Sequence, residues 1–96
     1  YLAFLRDRYF SNPEIPELER HFLTFAAYNA GPARVAKLRD ETAEAGLDPD
    51  RWFGNVELVA ARRVGRETVQ YVANITKYYI AYSRAAALES NHGRRQ

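Results

Sequence analysis

The stretch FAAYNAGPARV, Phe25–Val35, decides how this chain is read. Phe25 to Asn29 suits the end of one helix, and Ala33 onward suits the start of another. Between them Gly31-Pro32 forces a break. Glycine readily takes a left-handed conformation after a helix, and proline fits the first position of the next, where its missing N–H costs nothing. The stretch therefore predicts a tight joint with a tyrosine and an asparagine at the break. An asparagine in a last helical turn either serves nearby backbone groups or faces outward into a cleft. A tyrosine within an apolar face is ordinarily packing.

Outward from the joint the pattern stays helical. Leu2, Leu5, Tyr9 and Phe10 recur at helical spacing and predict a first amphipathic helix over 1–10. Asn12-Pro13 and Ile15-Pro16 then give start signals for a second, Pro16 to Asn29. A third covers Ala33 to Ala45 and is closed by Gly46. The turn-rich segment from Leu47 to Gly54 carries Trp52 and Phe53, and two large aromatics in a loop must dock, most simply as an anchor in the core. Asn55 is read as the cap of a short fourth helix to Val64. Gly65 interrupts, and a long fifth helix runs from Arg66 to about Glu89. Its stripe of Tyr71, Ile75, Tyr78 and Tyr82 reads as core, and residues 90–96 read as a frayed tail. No stretch alternates with period two, so the fold class is all-α, a compact bundle of about five helices in a single domain over 1–89.

Composition removes several function classes. With 47% apolar and 14% aromatic residues among 96, the chain can build one core. The absence of cysteine excludes disulfides and thiolate metal sites. His21 and His92 lack a second ligand at metal-binding spacing, so neither a metal nor another cofactor is expected, and His21 reads as a surface or capping residue. Fourteen basic against twelve acidic residues give a net charge of +2, too little to favour nucleic acid. No apolar run approaches the roughly 18 residues that span a bilayer. Glu14, Glu17 and Glu19, near a helix start, read as solvated partners of the helix dipole. The opening YLAFLRDRYF lacks a capping residue and reads as a cut end, so the chain is expected to be part of a longer protein.

Two further segments join the joint. RWFGNVE occupies Arg51–Glu57, and RETVQYVANITKYY occupies Arg66–Tyr79, with Glu67 and Tyr71 four residues apart on one helical face. On their own, Glu67 suits the helix N-terminal dipole and Tyr71 suits the core. Together with AYNAG, Ala27 to Gly31, and in this order, they resemble the bacterial lytic transglycosylases with a goose-type lysozyme-like fold. The resemblance covers nearly the whole chain. It is similar to the C-terminal part of that catalytic domain, especially in the membrane-bound branch with a solute-binding-like domain upstream.

The resemblance implies cleavage of the β-1,4 bond between N-acetylmuramic acid and N-acetylglucosamine in peptidoglycan, ending in a 1,6-anhydro sugar. It implies a single glutamate that acts first as acid and then as base, with its pKa raised by apolar surroundings. Carried over, Ala27, Tyr28 and Asn29 would line the glycan cleft, Glu67 would sit near the groove, and Tyr71 would approach the glutamate from the long helix. The partner implied is a peptidoglycan glycan strand. The location implied is the periplasm, with any membrane or outer-membrane attachment made by parts outside this chain, and a monomer is expected.

In the family the catalytic Glu-Ser and a following Gly-Leu-Met-Gln precede AYNAG, and neither occurs there in this chain. Glu89-Ser90 lies downstream of every other motif and reads as coincidence. The catalytic acid is therefore expected upstream, and the 96 residues alone are expected to be inactive. Two other classes compete with this reading. One is a non-catalytic glycan-binding or scaffold module. The other is a helix-turn-helix DNA binder, suggested by Ala61, Gly65 and Tyr71 beside Arg62, Arg63 and Arg66, but weakened by the length of the last helix, by Glu67 and by the small net charge.

Overall fold

A computed structural model describes residues 1–94, with side chains described through residue 88. Five helices follow in order: α1 Leu2–Tyr9, α2 Glu17–Ala30, α3 Pro32–Glu44, α4 Glu57–Arg63 and α5 Arg66–Arg94. There is no strand among the described residues, and the expected all-α bundle is what forms. Of the expected tail, residues 95–96 lie outside the described residues, as do the side chains of Glu89, Ser90 and His92.

The middle helix is α2, which packs against α1, α3 and α5. Its inward face is Phe22, Leu23, Ala26 and Ala27, at the spacing a helix needs to keep one side dry. Against it lie Leu5, Phe10, Ile15, Val35, Leu38, Val59, Ala60 and Val72, with Trp52 and Val56 from the long connection. Trp52 is wholly buried, as the core-anchor reading expects, while Phe53 stays exposed and sets its ring edge-on to Phe22 with centroids 5.0 Å apart.

The joint at Gly31 has a different geometry from the left-handed turn that the sequence suggests. Gly31 adopts φ 99° and ψ 141°, a combination open to glycine but not to residues with a Cβ. Its N–H donates to the Ala27 carbonyl at 2.8 Å, closing α2, and its own carbonyl accepts the Val35 N–H at 3.1 Å, opening α3. One residue thus ends one helix and begins the next. Pro32 fills the first position of α3, as expected.

Three local expectations are corrected. Asn55 does not cap α4: its Oδ1 accepts the Asp48 N–H at 3.0 Å and its Nδ2 donates to the Phe53 carbonyl, which uses the amide to close the loop. The helix begins at Glu57, whose carboxylate reaches back to the Gly54 N–H at 3.1 Å. Glu19 is not merely solvated, because its Oε2 accepts the Trp52 N–H at 2.9 Å and ties the loop to α2. In α1 only Leu5 and the following Phe10 are buried, whereas Leu2 and Tyr9 are exposed, because this short helix touches the bundle along one narrow line.

The largest correction concerns α5. At 29 residues it is about 43 Å long at 1.5 Å per residue, twice the length of α2, so only its first half has anything to pack on. The buried positions are Thr68, Val72 and Thr76, not the tyrosine stripe. Tyr71 and Ile75 flank that line and are half-buried, while Tyr78 and Tyr82 face solvent at 76% and 77% exposure. No helix among the described residues is long and apolar enough to cross a membrane.

Candidate functional site

The end of α2 meets the start of α5 through two consecutive residues. The rings of Tyr28 and Tyr71 stack with centroids 6.2 Å apart and planes 21° from parallel. Next to them the Thr68 hydroxyl donates to Asn29 Oδ1 at 2.7 Å. Tyr28 and Asn29 are neighbours on α2, and Thr68 and Tyr71 are one turn apart on α5, so the two pairings form a clamp that sets the register of the helices. The AYNAG and RETVQYV segments, nearly 40 residues apart, come together here.

The site is open to solvent on one side. Tyr28 is 52% exposed and Asn29 is exposed, while Tyr71 is half-buried behind them. Burial pushes the Tyr71 phenol above its ordinary value, and the neighbouring Tyr28 adds to the rise, so Tyr71 keeps a protonated hydroxyl able to donate or accept. Glu67 is exposed in the first turn of α5, one turn before Tyr71. Ala27 differs from its expected place: it is buried, its methyl in the core and its carbonyl occupied by Gly31, so it backs the site and does not line it.

Residues that the sequence reading left out extend this face. Tyr1 sets its ring edge-on to Tyr28 at 6.0 Å and stacks on Phe4 at 6.3 Å, which makes a row of four aromatic rings across α1, α2 and α5. Phe4 and Tyr1 are largely exposed. The i, i+3 spacing of Tyr1 and Phe4 was the available signal, hidden because their helix was judged by its buried face alone. Thr68 was likewise passed over, since a threonine in a helix carries no mark of a partner far along the chain.

Two concavities lie elsewhere. One of about 410 Å³ is bounded by Ala30 to Arg34 and Lys37, directly beside the joint. The other, about 550 Å³, lies between α3 and α4, where the Glu41–Arg63 ion pair at 3.0 Å bounds it. Among the described residues no three His, Asp or Glu side chains gather as a metal ion requires. His21, expected at the surface or as a cap, is half-buried with its ring stacked on Tyr79 at 5.8 Å.

Comparison with known proteins finds relatives named membrane-bound lytic murein transglycosylase F. One from Pseudomonas fluorescens (strain Pf0-1) is 32% identical over 82% of this chain and 18% of the relative. One from Alkalilimnicola ehrlichii, named membrane-bound lytic murein transglycosylase F 2, is 34% identical over 78% of this chain and 20% of its own length. A third, from Marinobacter nauticus, is 36% identical over 68% of this chain and 16% of the relative. The chain thus spans about a fifth of the length of the curated relatives it matches. No family model matches, and no solved structure matches.

Proposed function

The chain is homologous to a segment of the membrane-bound lytic murein transglycosylases, and on that premise we propose that it forms one wall of the glycan-binding cleft of such an enzyme. The parent cleaves the β-1,4 bond between N-acetylmuramic acid and N-acetylglucosamine and leaves a 1,6-anhydro end. It works in the periplasm, held to a membrane by parts outside this chain.

The observation that carries this reading is the Tyr28–Tyr71 stack with Asn29 held beside it at a solvent-facing edge. Exposed aromatic faces suit the apolar faces of sugar rings, and an amide and two phenols offer the directed hydrogen bonds that orient a saccharide. Ring and amide sit on two helices locked to each other, so the wall needs little ordering when a glycan arrives, and such preorganisation favours binding.

The reaction requires a carboxylic acid beside the scissile oxygen, kept protonated by apolar surroundings. Glu67 does not meet that requirement, because it lies exposed to solvent in the first turn of α5 and has no apolar surroundings. As the family resemblance implies, the acid comes from another part of the parent, and the role of Tyr71 is to present its hydroxyl toward that group. The isolated chain binds glycan without cutting it. Purified chain incubated with cell-wall sacculi is expected to co-sediment with them and to release no anhydromuropeptides. Abundant anhydromuropeptide from the chain alone would refute the assignment of the acid to another part, and failure to sediment would refute the cleft wall.

A further inference from the structure

We propose that Thr68 is a positioning residue: its hydroxyl holds the Asn29 amide so that Nδ2, and not Oδ1, is what the site offers to a ligand. This deepens the glycan-binding reading above and rests on it for the identity of the ligand. Thr68 is 2% exposed and sits one turn before Val72, which is wholly buried, so its place is fixed by the core. Its hydroxyl donates to Asn29 Oδ1 at 2.7 Å, the usual length of a well-formed O–H···O bond. Asn29 is itself exposed, and its Nδ2 has no partner among the described residues.

The consequence is chemical. A free asparagine side chain presents an acceptor and a donor and can turn by half a revolution to suit either. Here Thr68 engages Oδ1 and fixes the rotation of the amide, which leaves the NH2, with its two donors, as the unpartnered group available to a ligand. It matches an oxygen lone pair on a saccharide, from a carbonyl or a hydroxyl, and repels an ammonium or an amide N–H brought to the same point. Holding the amide also removes the entropy that binding would otherwise cost in freezing that side chain. Thr68 reaches no ligand itself and acts only through Asn29.

The test compares the full chain with Thr68→Val, which keeps the shape and loses the hydroxyl, and Thr68→Ser, which keeps the hydroxyl. Two readouts are followed by NMR: the heteronuclear NOE of the Asn29 side-chain amide, and the affinity for tri-N-acetylchitotriose. Thr68→Ser is expected to match the unaltered chain in both. Thr68→Val is expected to lower the amide NOE and to weaken binding by roughly threefold to tenfold, the value of one hydrogen bond. An amide equally ordered in Thr68→Val overturns the proposal, as does a Thr68→Ser variant as impaired as Thr68→Val, since methyl packing would then be the cause.

An unaltered chain that does not bind the trisaccharide, but whose amide order still depends on the hydroxyl, overturns the glycan reading and supports the positioning. Should Thr68→Val not fold, Asn29→Asp decides. It preserves an acceptor for Thr68 but turns an oxygen outward, so it is expected to lose binding, and full binding would overturn the claim about Nδ2.

Discussion

Replacing Arg39 with methionine should destabilise this protein more than any other change to an apparent surface charge. Arg39 Nε donates to the Pro49 carbonyl at 2.9 Å and Nη2 to Asp50 Oδ1 at 2.7 Å, while the guanidinium lies 5.8 Å from the centre of the Phe10 ring. One side chain on α3 thus pins the loop that carries Trp52 and covers the aromatic that follows α1. The ion pair is 22% and 29% exposed on its two sides, so solvent screens it only in part. Each of the two charge-assisted hydrogen bonds contributes on the order of 1 kcal/mol at that exposure. A methionine keeps an unbranched apolar stem but also loses the guanidinium over Phe10, a weaker contact than the two hydrogen bonds. The loss is then about 2 kcal/mol, which for a domain of this size lowers the thermal midpoint by roughly 8–16 °C. Urea or thermal unfolding followed by circular dichroism at 222 nm measures it. A shift below about 0.5 kcal/mol, the ordinary range for a free surface residue, would refute the claim that Arg39 fastens the loop.

Other consequences follow from the same contacts. Gly31→Ala should cost about 1–2 kcal/mol in urea unfolding through its backbone angles alone, since a Cβ there would meet nothing within 4 Å. Stability should fall as pH rises above 10, the ordinary tyrosine value, through the raised folded value of Tyr71. The folded state holds that proton longer than the unfolded one, so the contribution is complete below pH 10 and lost above it. Tyr71→Phe should flatten that alkaline decline when unfolding is compared at pH 9 and 11. Val72→Ala should cost on the order of 2 kcal/mol, whereas Tyr78→Ser with Tyr82→Ser should stay within about 0.5 kcal/mol, a contrast that a single set of denaturation curves resolves.

The helices were legible because apolar spacing and punctuation agree: Gly31-Pro32, Gly46 and Gly65 end or begin elements where positive φ is needed. The resemblance sets Tyr28 and Tyr71 toward one cleft, and in the structure their two rings stack. What the sequence hid depends on length and distance. The tyrosine stripe of α5 has the periodicity of a core face, but periodicity cannot say which of two adjacent stripes meets the partner: α2 packs on the line of Thr68, Val72 and Thr76, with Tyr79 against His21, and Tyr78 and Tyr82 are turned away from it. Glu19 reads as a solvated charge in the sequence, and nothing there marks Arg39, because their partners, Trp52 and Asp50, lie in a loop whose path no local pattern fixes. Thr68 is a similar case, its acceptor 39 residues away.

The account is tested most directly by titrating the isotopically labelled chain with soluble, uncrosslinked peptidoglycan strands and following every backbone and side-chain amide by NMR. The largest shifts are predicted at Tyr28, Asn29, Glu67 and Tyr71, with a smaller one at Phe4. A spectrum in which those signals stay still, while the changes gather at Arg62 and Arg63 or along Tyr78 and Tyr82, would contradict it.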